Sequence, residues 1–170
     1  MTIPEISESL QEARRPEQIV TIREGLRLEQ VAAVVAEQTT IEEEAFLALT
    51  TSGWRDRPYA SRFLSVVPAG ATLEGFLYPD TYRLPEQAVA DDLLERMLTT
   101  FDDRVTRGIE RAARQQGLDL HQLVTLASIV EREAVVPEER PTIAGVYMNR
   151  LESGWTLDAD PTVQYGMAED

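Results

Sequence analysis

From Leu123 to Val130 the chain runs eight residues without a charge, LVTLASIV, and then sets Glu131, Arg132 and Glu133 in succession. A run this apolar reads as a buried helix. Asp119 followed by Gln122 three residues on is a helix-start signature. From there Leu120, Leu123, Val124, Ala127, Glu131 and Ala134 recur at steps of three or four, so one helix face is predicted to be apolar except for Glu131. Glu133 lies about 200° further round and points elsewhere. A carboxyl that emerges from a buried face, close to the negative end of a helix, is costly to ionise. Such a group is either paired, with Arg140 or Arg150 as partners, or kept as a proton donor, and proton donors are what glycosidic chemistry needs.

The residue types that are missing exclude much other chemistry. The chain has no cysteine, which removes disulfide frameworks, zinc–thiolate sites and cysteine nucleophiles. His121 is the single histidine, so a multi-histidine metal site is impossible and a Ser-His-Asp triad is disfavoured. All sixteen basic residues are arginine, which removes lysine-dependent Schiff-base chemistry and P-loop phosphate binding. A net charge of -14 argues against nucleic acid and anionic membrane surfaces as partners. No apolar stretch approaches the ~18 residues needed to span a bilayer. No metal and no cofactor is expected. The 170 residues suffice for one ordinary domain, or for a small module and part of a larger domain.

Along the chain, residues 1–17 read as a leader or partial helix. Ile19 to Ile22 is a short β-branched run ending at Gly25, predicted to be a strand. Leu28, Val31, Ala32 and Val35 recur at helical spacing. Thr40 with Glu43 reads as a capping box for a second helix that buries Phe46 and Leu49 and stops at Gly53. Residues 18–53 thus form a small β-α-α module. Residues 54–71 connect it to EGFLYPDTYRLP, Glu74 to Pro85. The aromatics of that stretch either wedge into a core around a Pro-Asp turn or wall a sugar-binding cleft. A long helical region from Ala88 to Gln116 follows, with Asp102-Asp103 or Gly108 as breaks and Ile109 and Ala112 continuing its stripe. After the central helix, Pro137 and Pro141 open a last helix with Ile143, Val146, Tyr147 and Leu151 inward and Gly154 as its stop. LDADPTVQYG, Leu157 to Gly166, is expected to be an Asp-Pro turn and a short extended piece, rich in hydrogen-bonding side chains and suited to a substrate rim. The fold class expected is α+β, predominantly helical.

EGFLYPDTY (Glu74 to Tyr82), LASIVEREA (Leu126 to Ala134) and RPTIAGVYMNRLESGWTLDADPTVQYGM (Arg140 to Met167) occur in that order. With REGLRLEQVA (Arg23 to Ala32) they resemble the endolytic murein transglycosylase family, bacterial enzymes that cut peptidoglycan glycan strands. The resemblance covers roughly Thr21 to Met167. It implies that residues 18–53 are LysM-like and that residues 54–170 are the N-terminal portion of the catalytic domain. It also implies a membrane anchor and further catalytic sequence outside this chain, which reads as a piece of a longer protein. The expected location is the extracytoplasmic face of the cytoplasmic membrane. Peptidoglycan strands are the expected partner, and the cell wall synthesis machinery a second one. Members have been labelled aminodeoxychorismate lyases; that label implies pyridoxal phosphate on an essential lysine, which a lysine-free chain cannot provide.

The resemblance carries the catalytic acid onto Glu131, the first glutamate of IVERE. A lytic transglycosylase needs one such group, because the C6 hydroxyl of the substrate's own muramic acid attacks the anomeric carbon and leaves a 1,6-anhydro end. Ordinary glycosidases need two carboxylates, and Asp158 and Asp160 keep that scheme open. Asn149, Asp160, Thr162, Gln164 and Tyr165 are the candidate substrate contacts. The competing class is a non-catalytic glycan-binding or divisome-interaction module in which Glu131 is structural.

Overall fold

A computed structural model describes residues 16–167. The expected leader therefore lies almost entirely outside the described residues; Pro16 and Glu17 already lead into the first strand. The fold is α+β and mostly helical: one two-stranded antiparallel sheet and seven α-helices among the described residues. Two compact units divide the chain, Met1–Arg107 and Gly108–Asp170.

The N-terminal unit begins with β1 (Glu17–Thr21), followed by α1 (Leu28–Gln38) and α2 (Glu43–Thr51). Leu28, Val31, Ala32 and Val35 are all buried, as their spacing predicts. The capping box at Thr40 does not form. Helix α2 starts from Glu42 with no side-chain cap. Thr40 is instead held by β1: its N–H donates to Gln18 Oε1 at 2.6 Å, and Gln18 Nε2 donates back to its hydroxyl at 3.0 Å.

The segment 18–53 does not close on itself. The partner of β1 is β2 (Thr81–Pro85), in the register Glu17↔Pro85 to Thr21↔Thr81. Val20 and Ile22 turn inward with Tyr82 and Leu84, and Phe46, Leu93 and Met97 complete a core whose members are almost wholly removed from water. The aromatic stretch is therefore core. Phe76 and Tyr82 are buried, and Phe76 meets Phe63 and Phe101 with ring centroids 5.2 and 5.3 Å apart. Glu74 Oε2 accepts the N–H of Leu28 at 3.0 Å, so a carboxylate from the start of the aromatic stretch satisfies a first-turn donor of α1. Burial holds the phenol of Tyr82 well above its ordinary value. The same cause, reinforced by the carboxylate of Asp91 that accepts its hydrogen bond at 2.7 Å, does so for Tyr59.

Helix α3 (Ala90–Phe101) passes through a π-helical turn, Asp102–Thr106, into α4 (Arg107–Gln115). The Asp102-Asp103 pair does mark the break. Ile109 and Ala112 do not continue the buried stripe; both are exposed. Of α4 it is Ala113 that is buried. None of the described helices is long and apolar enough to cross a membrane.

Candidate active site

The C-terminal unit carries three further helices, α5 (Leu120–Glu133), α6 (Arg140–Glu152) and α7 (Asp160–Met167), with α5 packed against both others. Gly117, at φ 71°, turns the chain into α5. Asp119 caps the helix as expected. Its Oδ1 accepts the N–H of Gln122 at 2.8 Å, and its own N–H donates to Gln122 Oε1 at 2.9 Å.

The buried face of α5 is only in part the one predicted: Leu120 is buried and Leu123 and Val124 are half-buried, but the face then turns away from the predicted stripe. Leu126, Ile129 and Val130 face inward with Tyr147 and Ala159. Ala127 and Glu131 face solvent. The acid that turns toward the small core is Glu133, whose Oε1 accepts the hydroxyl hydrogen of Tyr147 at 3.1 Å. An apolar run without interruption offers several faces for burial, and the helices packed on α5 select among them. Burial, on which a proton-donating Glu131 was predicated, is thus absent at that position. The alternative ion pair is absent too: among the described residues Glu131 meets no arginine. Arg150, one of its expected partners, lies over the ring of Tyr147 with 5.7 Å to the centroid and donates to the carbonyl of Leu157.

Tyr147 is the centre of this arrangement. Burial raises its phenol above the ordinary value, the hydrogen bond and charge of Glu133 add to that, Arg150 opposes them, and Asp160 adds a weaker push in the same upward direction. The inner stripe of α6 is narrower than expected. Tyr147 is buried and Ile143 half-buried, but Val146 and Leu151 are exposed.

The segment after α6 also departs from expectation. Asp160–Met167 is helical where an extended piece was predicted. Asp160 precedes Pro161, whose fixed φ suits a first helical turn. Thr162 fastens that turn, donating from its backbone N–H and its hydroxyl to the carbonyl of Ala159 at 3.0 and 2.7 Å. Asp158 sits at φ 47° and accepts the hydroxyl hydrogen of Thr156 at 2.8 Å. An open depression of about 530 Å³ runs from Thr156 to Val163, with Asp158, Asp160 and Thr162 along it.

Of the predicted contacts, Asp160 and Thr162 therefore share one depression. Gln164 and Tyr165 follow on α7, both exposed, and Asn149 lies exposed on α6. Sequence reasoning did not anticipate the Glu133–Tyr147–Arg150 arrangement. The spacing Tyr147-x-x-Arg150, adjacent on one helix face, was the available signal. No group of acidic or histidine side chains among the described residues is arranged to hold a metal.

The chain matches the YceG-like family over residues 1–170. It is 30% identical over 163 residues to the endolytic murein transglycosylases of two Streptococcus pneumoniae strains, covering 88% of this chain and 29% of each relative. It is 28% identical over 158 residues to that of Bacillus subtilis, covering 86% of this chain and 42% of the relative. The chain thus spans less than half the length of these curated relatives. The crystal structure of a yceG-like protein from Listeria monocytogenes superposes with a TM-score of 0.72 at 26% identity, over all of this chain and 59% of that one. Fold and sequence agree across the whole chain, and it belongs to the YceG-like family.

Proposed function

We propose that this chain carries the general acid/base of an endolytic peptidoglycan lytic transglycosylase, and that Glu131 is that group. The observation that carries the reading is the division of labour between the two acids at the end of α5. Glu133 is engaged by Tyr147, whereas Glu131 projects from the same turn without an ion pair among the described residues. A glycan strand laid over that turn excludes water from the carboxyl at the point of reaction. The acid protonates the oxygen leaving from the N-acetylmuramic acid–N-acetylglucosamine bond. As carboxylate it then accepts the proton of the muramic C6 hydroxyl, whose oxygen closes on the anomeric carbon and yields the 1,6-anhydro end. One proton is given and one recovered, so no water enters.

Asp160, Thr162, Asn149, Gln164 and Tyr165 are assigned to substrate contact, the first two because they line the depression. The β1-α1-α2 run is assigned the LysM-like role, and the chain as a whole to cell wall assembly at the outer face of the cytoplasmic membrane. The relatives' names support this reading. The test is Glu131→Gln in the intact natural protein. Acid catalysis supplies roughly 10²–10⁴-fold, and turnover falls by at least that factor with little change in melting temperature. Wild-type products carry 1,6-anhydromuramyl ends. Incorporation of ¹⁸O from labelled water would mean hydrolysis with a second carboxylate, Asp160 first among candidates. Undiminished cleavage by Glu131→Gln would leave the non-catalytic glycan-binding module as the better reading.

A further inference from the structure

We propose that Trp155 is a preformed stacking platform for an amino-sugar ring of the glycan strand, a deepening that rests on the peptidoglycan reading above. The chain has two tryptophans, and their settings are opposite. Trp54 is 4% exposed, whereas Trp155 is 71% exposed.

The loop that presents Trp155 is fixed on both sides. Helix α6 ends with Gly154 at φ 67°; the N–H of Gly154 donates to the carbonyl of Leu151 at 3.1 Å, and that of Trp155 to the carbonyl of Arg150 at 2.8 Å. This is the paired-bond helix stop in which the residue after the glycine commonly packs back on the last turn. Here Trp155 stays largely exposed. The loop is anchored instead by the guanidinium of Arg150 on the Leu157 carbonyl and by Ala159, which is 2% exposed. A large ring is therefore held open to water by a backbone with little freedom to hide it.

What lies beside it suggests the occupant. Thr156 is the first residue of the depression that Asp158, Asp160 and Thr162 continue. Trp155 immediately precedes that lining in the sequence, and an apolar ring presented by a segment rich in hydroxyls and carboxylates matches a pyranose, which has an apolar C–H face and a rim of hydroxyl and amide donors. An apolar protein segment would take Asp158 and Asp160 out of water without offering them a hydrogen-bond donor.

The probe is a peptide-free, uncross-linked glycan strand, titrated against the intact natural protein and followed by tryptophan emission and by turnover. Trp155→Ala is expected to weaken strand binding and raise KM roughly two- to tenfold with little change in kcat, because stacking acts alike on ground and transition states. Trp155→Phe keeps most of the affinity. The same loss is expected for Trp155→Ala placed in the Glu131→Gln background, where binding is measured without turnover, so the platform can fail while the acid assignment stands, and the reverse. Three results overturn the proposal: unchanged affinity in Trp155→Ala, equal losses in Trp155→Phe and Trp155→Ala, or a Trp155 that acrylamide cannot quench in the intact protein, which would show it covered by protein.

Discussion

The two units of the molecule treat their apolar side chains differently. In the N-terminal unit Val20, Ala32, Val35, Phe46, Leu93 and Met97 lose all contact with solvent, and among the described residues the large apolar ones left outside are Ile19, Val66 and Val89. In the C-terminal unit one buried cluster joins Leu126, Ile129, Val130, Tyr147 and Ala159, with Ala113 and Leu120 also buried, and none of these is fully sealed. Val135, Val146, Leu151, Trp155, Val163, Tyr165 and Met167 all stand exposed there, Val135 to 90%. The first unit spends its apolar residues on a closed core. The second, which carries the proposed chemistry, leaves a large share of them available. A core this small supplies limited stability of its own.

Excision is the bluntest way to break this comparison. Residues 16–107 made alone are expected to melt cooperatively by circular dichroism, whereas 108–170 alone are expected to show no cooperative transition. A sharp transition in the second piece would end the contrast. Truncating one core residue in each unit sharpens it. Phe46→Ala is expected to cost about 3–5 kcal/mol, and Ile129→Ala to fall at or below the low end of the ~2–5 kcal/mol range for aliphatic truncations. Urea denaturation, with the buried Trp54 reporting the N-terminal unit, measures the first, and amide exchange along α5 the second.

The smallest effect is expected at Tyr147. Tyr147→Phe deletes the donor to Glu133 and is expected to cost about 0.5–1.5 kcal/mol. It also changes the alkaline limb. The folded state holds the phenolic proton of Tyr147 more tightly than the unfolded chain does, so its contribution is complete below the unfolded value near 10 and is lost as pH rises through the folded one. Wild-type stability therefore falls with rising pH above about 10, and Tyr147→Phe is expected to fall less steeply, while Tyr59 and Tyr82 keep their share of the decline.

Local signals were legible and distant ones were not. The Asp119–Gln122 cap, the buried face of α1 and the break at Asp102-Asp103 follow from side chains within a few residues of one another. The pairing of β1 with β2 could not be read, because nothing near Ile19 specifies a partner at Arg83. The orientation of Glu131 failed for a related reason. LVTLASIV is apolar on several sides, so periodicity alone does not select a face, and Tyr147 and Ala159 from later helices decide it. At Asp160–Met167 the Asp-Pro pair was read as a turn, although the same pair can open a helix.

The sheet register also sets a timetable. Sixty-eight residues separate Glu17 from Pro85, its partner, and at about 5–20 residues per second synthesis needs roughly three to fourteen seconds to cross that gap. Throughout that interval Val20 and Ile22 have no strand to join, and α1 has no Glu74 to accept the N–H of Leu28. Strand β1 is therefore among the last parts of its unit to settle, and a nascent chain halted before Pro85 presents an unpaired apolar edge to whatever is nearby.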